Sequence, residues 1–392
     1  MSPTAGIKVA RVITRLNVGG PARHVTILSS RAGPEWNGVL LAGETDAREG
    51  SLLEEARAAG SKVITVPGLK RPVRPAADLR AFWWLLGYFR RERPELVATH
   101  TAKAGALGRL AAYLAGVPVR VHTFHGHVLE GYFSGPRSWF YLFVERLLGR
   151  LTTHFVAISP EIAEDLNRMG IGRGRTTIVR LGLELDHLKQ GQRGTLRAEL
   201  GLPASAPLVG IVGRLVPIKA HGLFLDAATL VGEQHPEAHF VIVGDGELWD
   251  ELHAEVAWRQ LEPRVHFTGW RHDLPEVYAD LDVVVCCSRN EGTPVCLIEA
   301  GAAGKPVVGT SVGGVPDIIS QGVNGFLVPS GDATALAGAV SGLLDDPDLA
   351  QALGEAGSRS AFEQHGAARM VSELRQLYQS LLTGAKLRMA AG

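Results

Sequence analysis

Several things are scarce in this 392-residue chain, and each scarcity excludes something. Cysteine occurs three times, at Cys286, Cys287 and Cys296, two of them adjacent inside an apolar run. With no C-x-x-C pair there is no disulfide framework and no thiolate metal site; the three read as small buried hydrophobes in a reducing compartment. Charged residues make up only 20% of the chain while hydrophobic ones make up 46%, which excludes a disordered chain. No uncharged apolar run approaches the roughly 18 residues of a spanning helix. Lys8, Arg11 and Arg15 interrupt the first apolar stretch, so a signal-peptide pattern is missing as well. The expected location is the cytoplasm, with peripheral attachment to the inner face of a membrane left open. There is also no excess of either charge, 40 Lys+Arg against 40 Asp+Glu, and no nucleic-acid partner is expected.

What is present is unevenly placed. Residues 1–190 hold 26 Lys+Arg against 16 Asp+Glu, a net of +10, so residues 191–392 carry −10. A basic half suits an acidic surface or a phosphate-bearing ligand, or simply attracts the other half. Glycine is abundant at 47 residues. Short β-branched runs alternate with helical patterns, the sequence form of stacked βαβ units. Strands are expected at 7–14, 38–42, 62–66, 96–100, 119–123 and 155–159, with helices at 78–91 and 102–114. A second series starts at 208–212 and continues through 238–243, 265–268, 283–287, 306–309 and 326–328. The expected class is α/β, with two Rossmann-like doubly wound parallel-sheet domains facing a central cleft. The expected division is 1–181, a connection at 182–207 rich in Gly, Gln and charge, 208–365, and a C-terminal helix and tail at 366–392 packing back on the first domain.

Two elements of the second half carry chemistry. Gly213-Arg-Leu-Val-Pro-Ile-Lys219 follows an apolar strand and precedes a helix, so Arg214 and Lys219 place two cations at a strand end, a suitable cradle for a diphosphate. Glu291-Gly-Thr-Pro-Val-Cys-Leu-Ile-Glu299 sets one glutamate in a turn and the other about a turn into the next helix. Glu291 can accept hydrogen bonds from sugar hydroxyls, Glu299 can hold a ribose diol, and the free amides of the helix start can face phosphate or sugar oxygens. Taken singly, Glu291 reads better as a solvated turn residue and Glu299 as a helix-dipole partner.

These two elements, followed by Val312-Gly-Gly-Val-Pro-Asp317 and Asn324-Gly-Phe-Leu-Val-Pro329, resemble the family-4 retaining glycosyltransferases of the GT-B fold in order and spacing. The resemblance covers nearly the whole C-terminal half. It implies that Arg214 and Lys219 bind the donor diphosphate, that Glu299 binds the ribose, and that Glu291 binds the transferred sugar. It also implies that Gly292, Thr293, Pro294 and Val295 line the sugar and phosphate, and that backbone near residues 268–271, Trp270 and Arg271 included, grips the base. Many members have Phe-Gly where this chain has Thr293-Pro294; proline donates no N–H, so the sugar pocket is expected to differ in shape.

In the N-terminal half the resemblance implies that the Gly19-Gly20 turn approaches diphosphate and acceptor, and that His125 reaches the donor sugar. His122-Thr-Phe-His-Gly-His127 invites a metal reading, but residues 122 and 125 of a strand point to opposite faces and no carboxylate or thiol lies near in sequence. The stretch from Thr99 to Arg109, together with 122–133, resembles a subgroup that assembles bacterial surface polysaccharides on lipid-linked acceptors. Lys103, at a strand-to-helix turn, suits an acceptor phosphate. Residues 82–89, Phe-Trp-Trp-Leu-Leu-Gly-Tyr-Phe, with arginines at 71, 74, 80, 90, 91 and 93, are either a core helix or one that lies on an anionic membrane.

The expected reaction is metal-independent transfer of a hexose or N-acetylhexosamine, with retained configuration, from a nucleotide-diphosphate sugar (UDP by default) to a saccharide or lipid-linked acceptor. No cofactor is expected. Glu291, His125, Arg214 and Lys219 are the expected catalytic set. Asp280-Leu-Asp282 mimics a metal-binding D-x-D but precedes its strand instead of following it. Gly244-Asp-Gly246 lacks the third glycine of a dinucleotide fingerprint, where Trp249 stands. A sugar-nucleotide 2-epimerase and a catalytically silent nucleotide-sugar sensor are the alternatives.

Overall fold

The computed structural model describes residues 6–17, 19–33, 35–45, 50–126 and 136–391. The chain forms two compact units, one of residues 1–183 with 367–392, the other of residues 184–366.

The first unit alternates strand and helix: β1 (Ile7–Ile13), α1 (Gly20–Ser30), β2 (Trp36–Ala42), α2 (Leu53–Ala58), β3 (Val63–Thr65), α3 (Pro75–Glu92), β4 (Leu96–His100), α4 (Ala102–Leu114), β5 (Val119–Phe124), α5 (Pro136–Leu151), β6 (His154–Ala157), α6 (Pro160–Arg168) and β7 (Thr176–Ile178). Its seven strands are all parallel in the order β3-β2-β1-β4-β5-β6-β7. Such a sheet is covered on both faces, which is why Val9, Ala10, Val12 and Ile13 of β1 and Leu96, Val97 and Ala98 of β4 are all buried. The strand order reverses between β1 and β4, where Ile13 pairs with His100, and ligands of open α/β sheets collect at the carboxyl ends beside such a switch.

The second unit begins with α7 (Thr195–Glu199) and repeats the plan: β8 (Leu208–Val212), α8 (His221–Gln234), β9 (His239–Val243), α9 (Trp249–Trp258), β10 (Val265–Gly269), α10 (Leu274–Asp280), β11 (Val283–Cys286), α11 (Val295–Ala302), β12 (Val307–Thr310), β13 (Gly325–Val328), α12 (Ala333–Asp345) and α13 (Pro347–His365). The order is β10-β9-β8-β11-β12-β13, again parallel, with the switch between β8 and β11. The Asp332 carboxylate accepts from the Ala335 amide at 2.9 Å and caps α12, a contact typically worth about 1 kcal/mol.

The chain then returns to the first unit as α14 (Ala367–Ala391). Ala367, Met370, Val371, Leu374, Tyr378, Leu382 and Ala385 recur at helical spacing and bury against Val9, Leu28, Trp36, Leu96 and Val119.

The stretch 182–207 is not the free connection its composition suggests. The crossing falls between Leu183 and Glu184, and the segment around α7 is built into the second unit by Asp280. That fully buried carboxylate accepts from the amides of Gly194 (2.6 Å), Leu196 (2.5 Å) and Arg197 (3.1 Å), and pairs with the Arg197 guanidinium at 2.7 Å. Asp282 takes Arg197 (2.6 Å), Arg193 (2.8 Å) and the Leu208 amide (2.8 Å). The D-x-D look-alike is thus a clamp for α7: its oxygens are engaged by donors of their own chain.

Candidate active site

The switch point of the second sheet brings the two chemical motifs together. The Gly213–Lys219 loop leaves β8, the turn containing Glu291 leaves neighbouring β11, and the Lys219 ammonium forms an ion pair with the Glu291 carboxylate. Ser288, which also follows β11, donates from its hydroxyl to the same Glu291 oxygen at 2.5 Å and is itself held by Thr310, whose hydroxyl donates to the Ser288 carbonyl at 2.6 Å. Burial pulls the Lys219 ammonium down, but the Glu291 charge and hydrogen bond outweigh it, and the net shift is upward: the lysine stays charged. Beside it, burial and the Lys219 charge push His221 down to about 4, so the histidine is neutral. Arg214 is exposed and has no ion pair among the described residues.

Two glycine pairs shape this corner. Gly244 has φ +138°, and a Cβ there would run into the Gly213 carbonyl; a Cβ at Gly246 would meet that of Leu215. The Leu215 amide donates to the Asp245 carbonyl at 3.0 Å, so the Gly-Asp-Gly turn is a bed on which the Arg214 loop lies. Gly313 (φ +49°) and Gly314 sit equally tightly against the carbonyls of Glu291 and Gly292, and the Gly314 amide donates to Glu291 O at 2.9 Å. The Val-Gly-Gly motif therefore supports the Glu291 turn from outside it.

Pro294 caps α11, with Thr293 and Val295 partly exposed beside it, and the first amides of the helix are not used within it. Glu299 lies on this helix, 6% exposed, and accepts from the Tyr278 hydroxyl at 2.9 Å. Trp270 is half exposed in the turn after β10. The Arg271 guanidinium is held by Asp273 at 2.6 Å and by Glu199 at 2.6 Å, which leaves its backbone for any ligand.

In the first unit, Gly19 caps α1 and Gly20 is its first residue. His125 follows β5, and its Nε2 lies 2.9 Å from Nδ1 of His100 at the end of β4. His24 of α1 joins them edge-on, its ring centroid 4.8 Å from that of His125. Burial holds all three neutral, His125 down at about 3. The expected neighbours are thus rearranged: His122 turns away to Thr99 at 2.8 Å, and His127 lies outside the described residues. Ring nitrogens of His24, His100 and His125 come within 4.8 Å of one another. Two nitrogens on one tetrahedral zinc at about 2.05 Å would stand roughly 3.3 Å apart, farther than the 2.9 Å hydrogen-bonded pair. The nearby Arg11 charge also opposes a cation. His100 and His125 are joined by a hydrogen bond, while His24 meets them through its ring with neither nitrogen partnered.

Lys103 is not a free cation: it pairs with Asp78 of α3 at 2.7 Å and donates to the Pro72 carbonyl. Arg109, from the same motif, is fully buried and grips Glu145 of α5 through two bonds of 2.8 and 2.9 Å. Just ahead of both, Thr101 holds φ +67°, secured by its hydroxyl's 2.6 Å bond to Thr14. A β-branched residue there costs of order 1–3 kcal/mol. It aims the β4–α4 turn beside His100.

The family pattern "Glycosyl transferase 4-like domain" matches residues 9–182 and "Glycosyl transferases group 1" matches residues 206–346. An Escherichia coli relative, UDP-Gal:alpha-D-GlcNAc-diphosphoundecaprenol alpha-1,3-galactosyltransferase, is 31% identical over 294 residues, 74% of this chain and 76% of its own. The chain belongs to the family-4 glycosyltransferases. The Staphylococcus aureus capsular polysaccharide biosynthesis glycosyltransferase CapM is similar at 22% identity, covering 84% of this chain and 88% of its own. Anabaena HepE in complex with UDP and glucose shares the fold, with a TM-score of 0.81 at 22% identity over 95% of this chain and 100% of its own. The GT-B class and enzyme class expected from the sequence stand.

Four site residues of this glycosyltransferase escaped sequence reading. Ser288 and Tyr278 act through glutamates already singled out, but nothing in their spacing marks them. His24 and His100 lie 101 and 25 residues before His125, so only the sheet order unites them.

Proposed function

We propose that this glycosyltransferase binds a UDP-sugar in its second unit, without metal, and transfers the sugar with retained configuration to a lipid-linked saccharide. The observation that carries the donor site is the Lys219–Glu291 pair at two adjacent strand ends of the switch point. An incoming diphosphate competes for the lysine and releases Glu291 to accept from sugar hydroxyls. Arg214 and Lys219 then hold the diphosphate, Glu299 the ribose, and amides of Gly292, Thr293 and Val295 its sugar or phosphate oxygens. The bond from sugar C1 to the diphosphate oxygen breaks as the acceptor oxygen bonds C1 on the same face. The acceptor's proton passes to the departing diphosphate oxygen, because the released Glu291 is taken up by sugar hydroxyls and no other carboxylate among the described residues pairs with Lys219. Fixed cations facing developing charge are an electrostatic contribution often worth several kcal/mol.

The acceptor reading is supported by the E. coli relative, whose name specifies a diphosphoundecaprenol acceptor, and by a surface of the first unit. Right-handed crossovers set α3, α4 and α5 on one face of its sheet. There Leu79 and Trp83 of α3, Tyr113 and Leu114 of α4, and Trp139 and Phe143 of α5 point outward, with Trp83 59% and Trp139 68% exposed. The exposed Arg71, Arg74 and Arg80 flank them. We read this face as the one that rests on an anionic bilayer, with Ala81, Leu85, Leu86, Tyr88 and Phe89 of α3 buried in the core. No helix among the described residues is long and apolar enough to cross a membrane.

Calorimetry with UDP, GDP and ADP, each free and as its sugar conjugate, tests the donor; assays with and without EDTA and NMR of the product's anomeric proton test the chemistry. Preference for another base, loss of turnover on chelation, or an inverted anomer would each overturn its part of this reading.

A further inference from the structure

Arg11 of β1 is 3% exposed, and neither its Nε nor its Nη1 has a hydrogen-bond partner. A buried guanidinium without a carboxylate is an unbalanced charge, a state proteins avoid. It lines a small, partly open space with Trp36 of β2 and Arg375 and Tyr378 of α14, walled by Leu28 and Val371. Each polar neighbour also presents a buried atom without a partner: Trp36 Nε1, Arg375 Nε and Tyr378 Oη. The carboxylate of Glu35 is engaged with the far side of Arg375 at 3.5 Å. Burial draws the Arg11 guanidinium down and the like charge of Arg375 adds to this, while burial raises Tyr378, so the phenol remains a neutral donor.

We propose that this space holds one small monovalent anion of the halide class, bound by Arg11, Arg375, Trp36 and Tyr378. The set consists of donors: guanidinium and indole nitrogens only donate, and the phenol hydroxyl can turn to do so. A water molecule would bring two hydrogens to a space where only Tyr378 can accept one, and it would leave the charge standing. A halide accepts from all four groups and cancels the charge. The space has room for a single small body and is too small for phosphate or sulfate. Because Arg375 and Tyr378 arrive on the last helix, the ion would tie α14 to the first sheet.

The full chain should show a Tm that rises by a few degrees, saturably, as chloride replaces gluconate at constant ionic strength. Arg11→Met should show only the linear, unsaturable salt trend, and Tyr378→Phe a weakened rise. Crystals grown in bromide should carry an anomalous peak within hydrogen-bond reach of Arg11. No saturable rise and no peak would mean the space holds water, and the proposal fails. A saturable rise that survives in Arg11→Met places the ion elsewhere and overturns it equally.

Discussion

The two sheets have nearly the same plan and put opposite chemistry at their switch points. At the end of β8 and β11 stand a half-buried ammonium, held charged, and a carboxylate in direct contact. At the end of β1, β4 and β5 stand three imidazoles, all held neutral by burial. The first arrangement suits a ligand that brings charge with it, because an anion exchanges for the glutamate and no net charge is buried. The second suits hydroxyls, since a neutral imidazole can donate or accept and demands no counter-ion.

The sharpest test of this contrast is removal of charge. Lys219→Ala should lower kcat/KM by roughly 10²–10³-fold, the usual loss for one electrostatic donor, and Arg214→Ala by a similar factor. His125→Ala should cost at least tenfold less, and circular dichroism should show all three folded. Near-normal kcat/KM in both cation variants would break the assignment of the diphosphate to the second unit.

Within the second unit the glutamates should separate. Glu299→Ala should weaken UDP and UDP-sugar alike, by about 10–100-fold for a lost charge-assisted pair of bonds. Glu291→Ala should leave UDP binding intact or tighten it, since Lys219 loses its internal competitor, while damaging sugar-conjugate use. Equal losses for UDP in both variants, measured by calorimetry, would merge the two roles.

Acid should separate the units as a whole. In the folded chain His125 titrates at about 3 and His221 at about 4, against about 6.5 unfolded. The folded pKa is the lower one, so the stability these groups contribute is complete above about pH 6.5. It is lost as pH falls from there toward 3–4, by about 1.4 kcal/mol per group per pH unit. The first unit contains four such histidines, His24, His100, His122 and His125, and the milder His154, whereas the second has His221 and the milder His239 and His266. Scanning calorimetry at pH 7.5 and 5.5 should therefore show the first unit's transition moving down further. Equal displacement of both transitions would contradict the contrast.

The smallest effect is expected at the exposed face. Sedimentation with anionic liposomes should fall as salt rises, because screening acts over about 8 Å at physiological ionic strength. Trp83→Ala with Trp139→Ala should reduce it severalfold at unchanged UDP affinity. A wild type that ignores anionic liposomes at low salt would leave this face without a bilayer partner.

Much of the second unit was legible because its determinants are local. Arg214 and Lys219, and likewise Glu291 and Glu299, lie within one loop or one turn and helix, so spacing alone carries their geometry. The Val-Gly-Gly motif was visible but mute; only contact with the Glu291 carbonyl explains it. At Lys103 the sequence shows a lysine at a strand-to-helix turn but not its partner Asp78, which is 25 residues away on another helix. In the 182–207 stretch, likewise, the carboxylate that orders the segment comes from distant Asp280.

By itself the sequence determined the parallel α/β plan, the helical spacing of α14, and the residues of the donor corner, because hydrophobic period and short-range turn chemistry act within a few residues. The tertiary structure alone decided which charges are paired, which histidines meet, and that Arg11 is buried with no carboxylate partner among the described residues. Those outcomes depend on which strands lie side by side, and the order β3-β2-β1-β4-β5 brings together residues that the chain keeps up to a hundred positions apart.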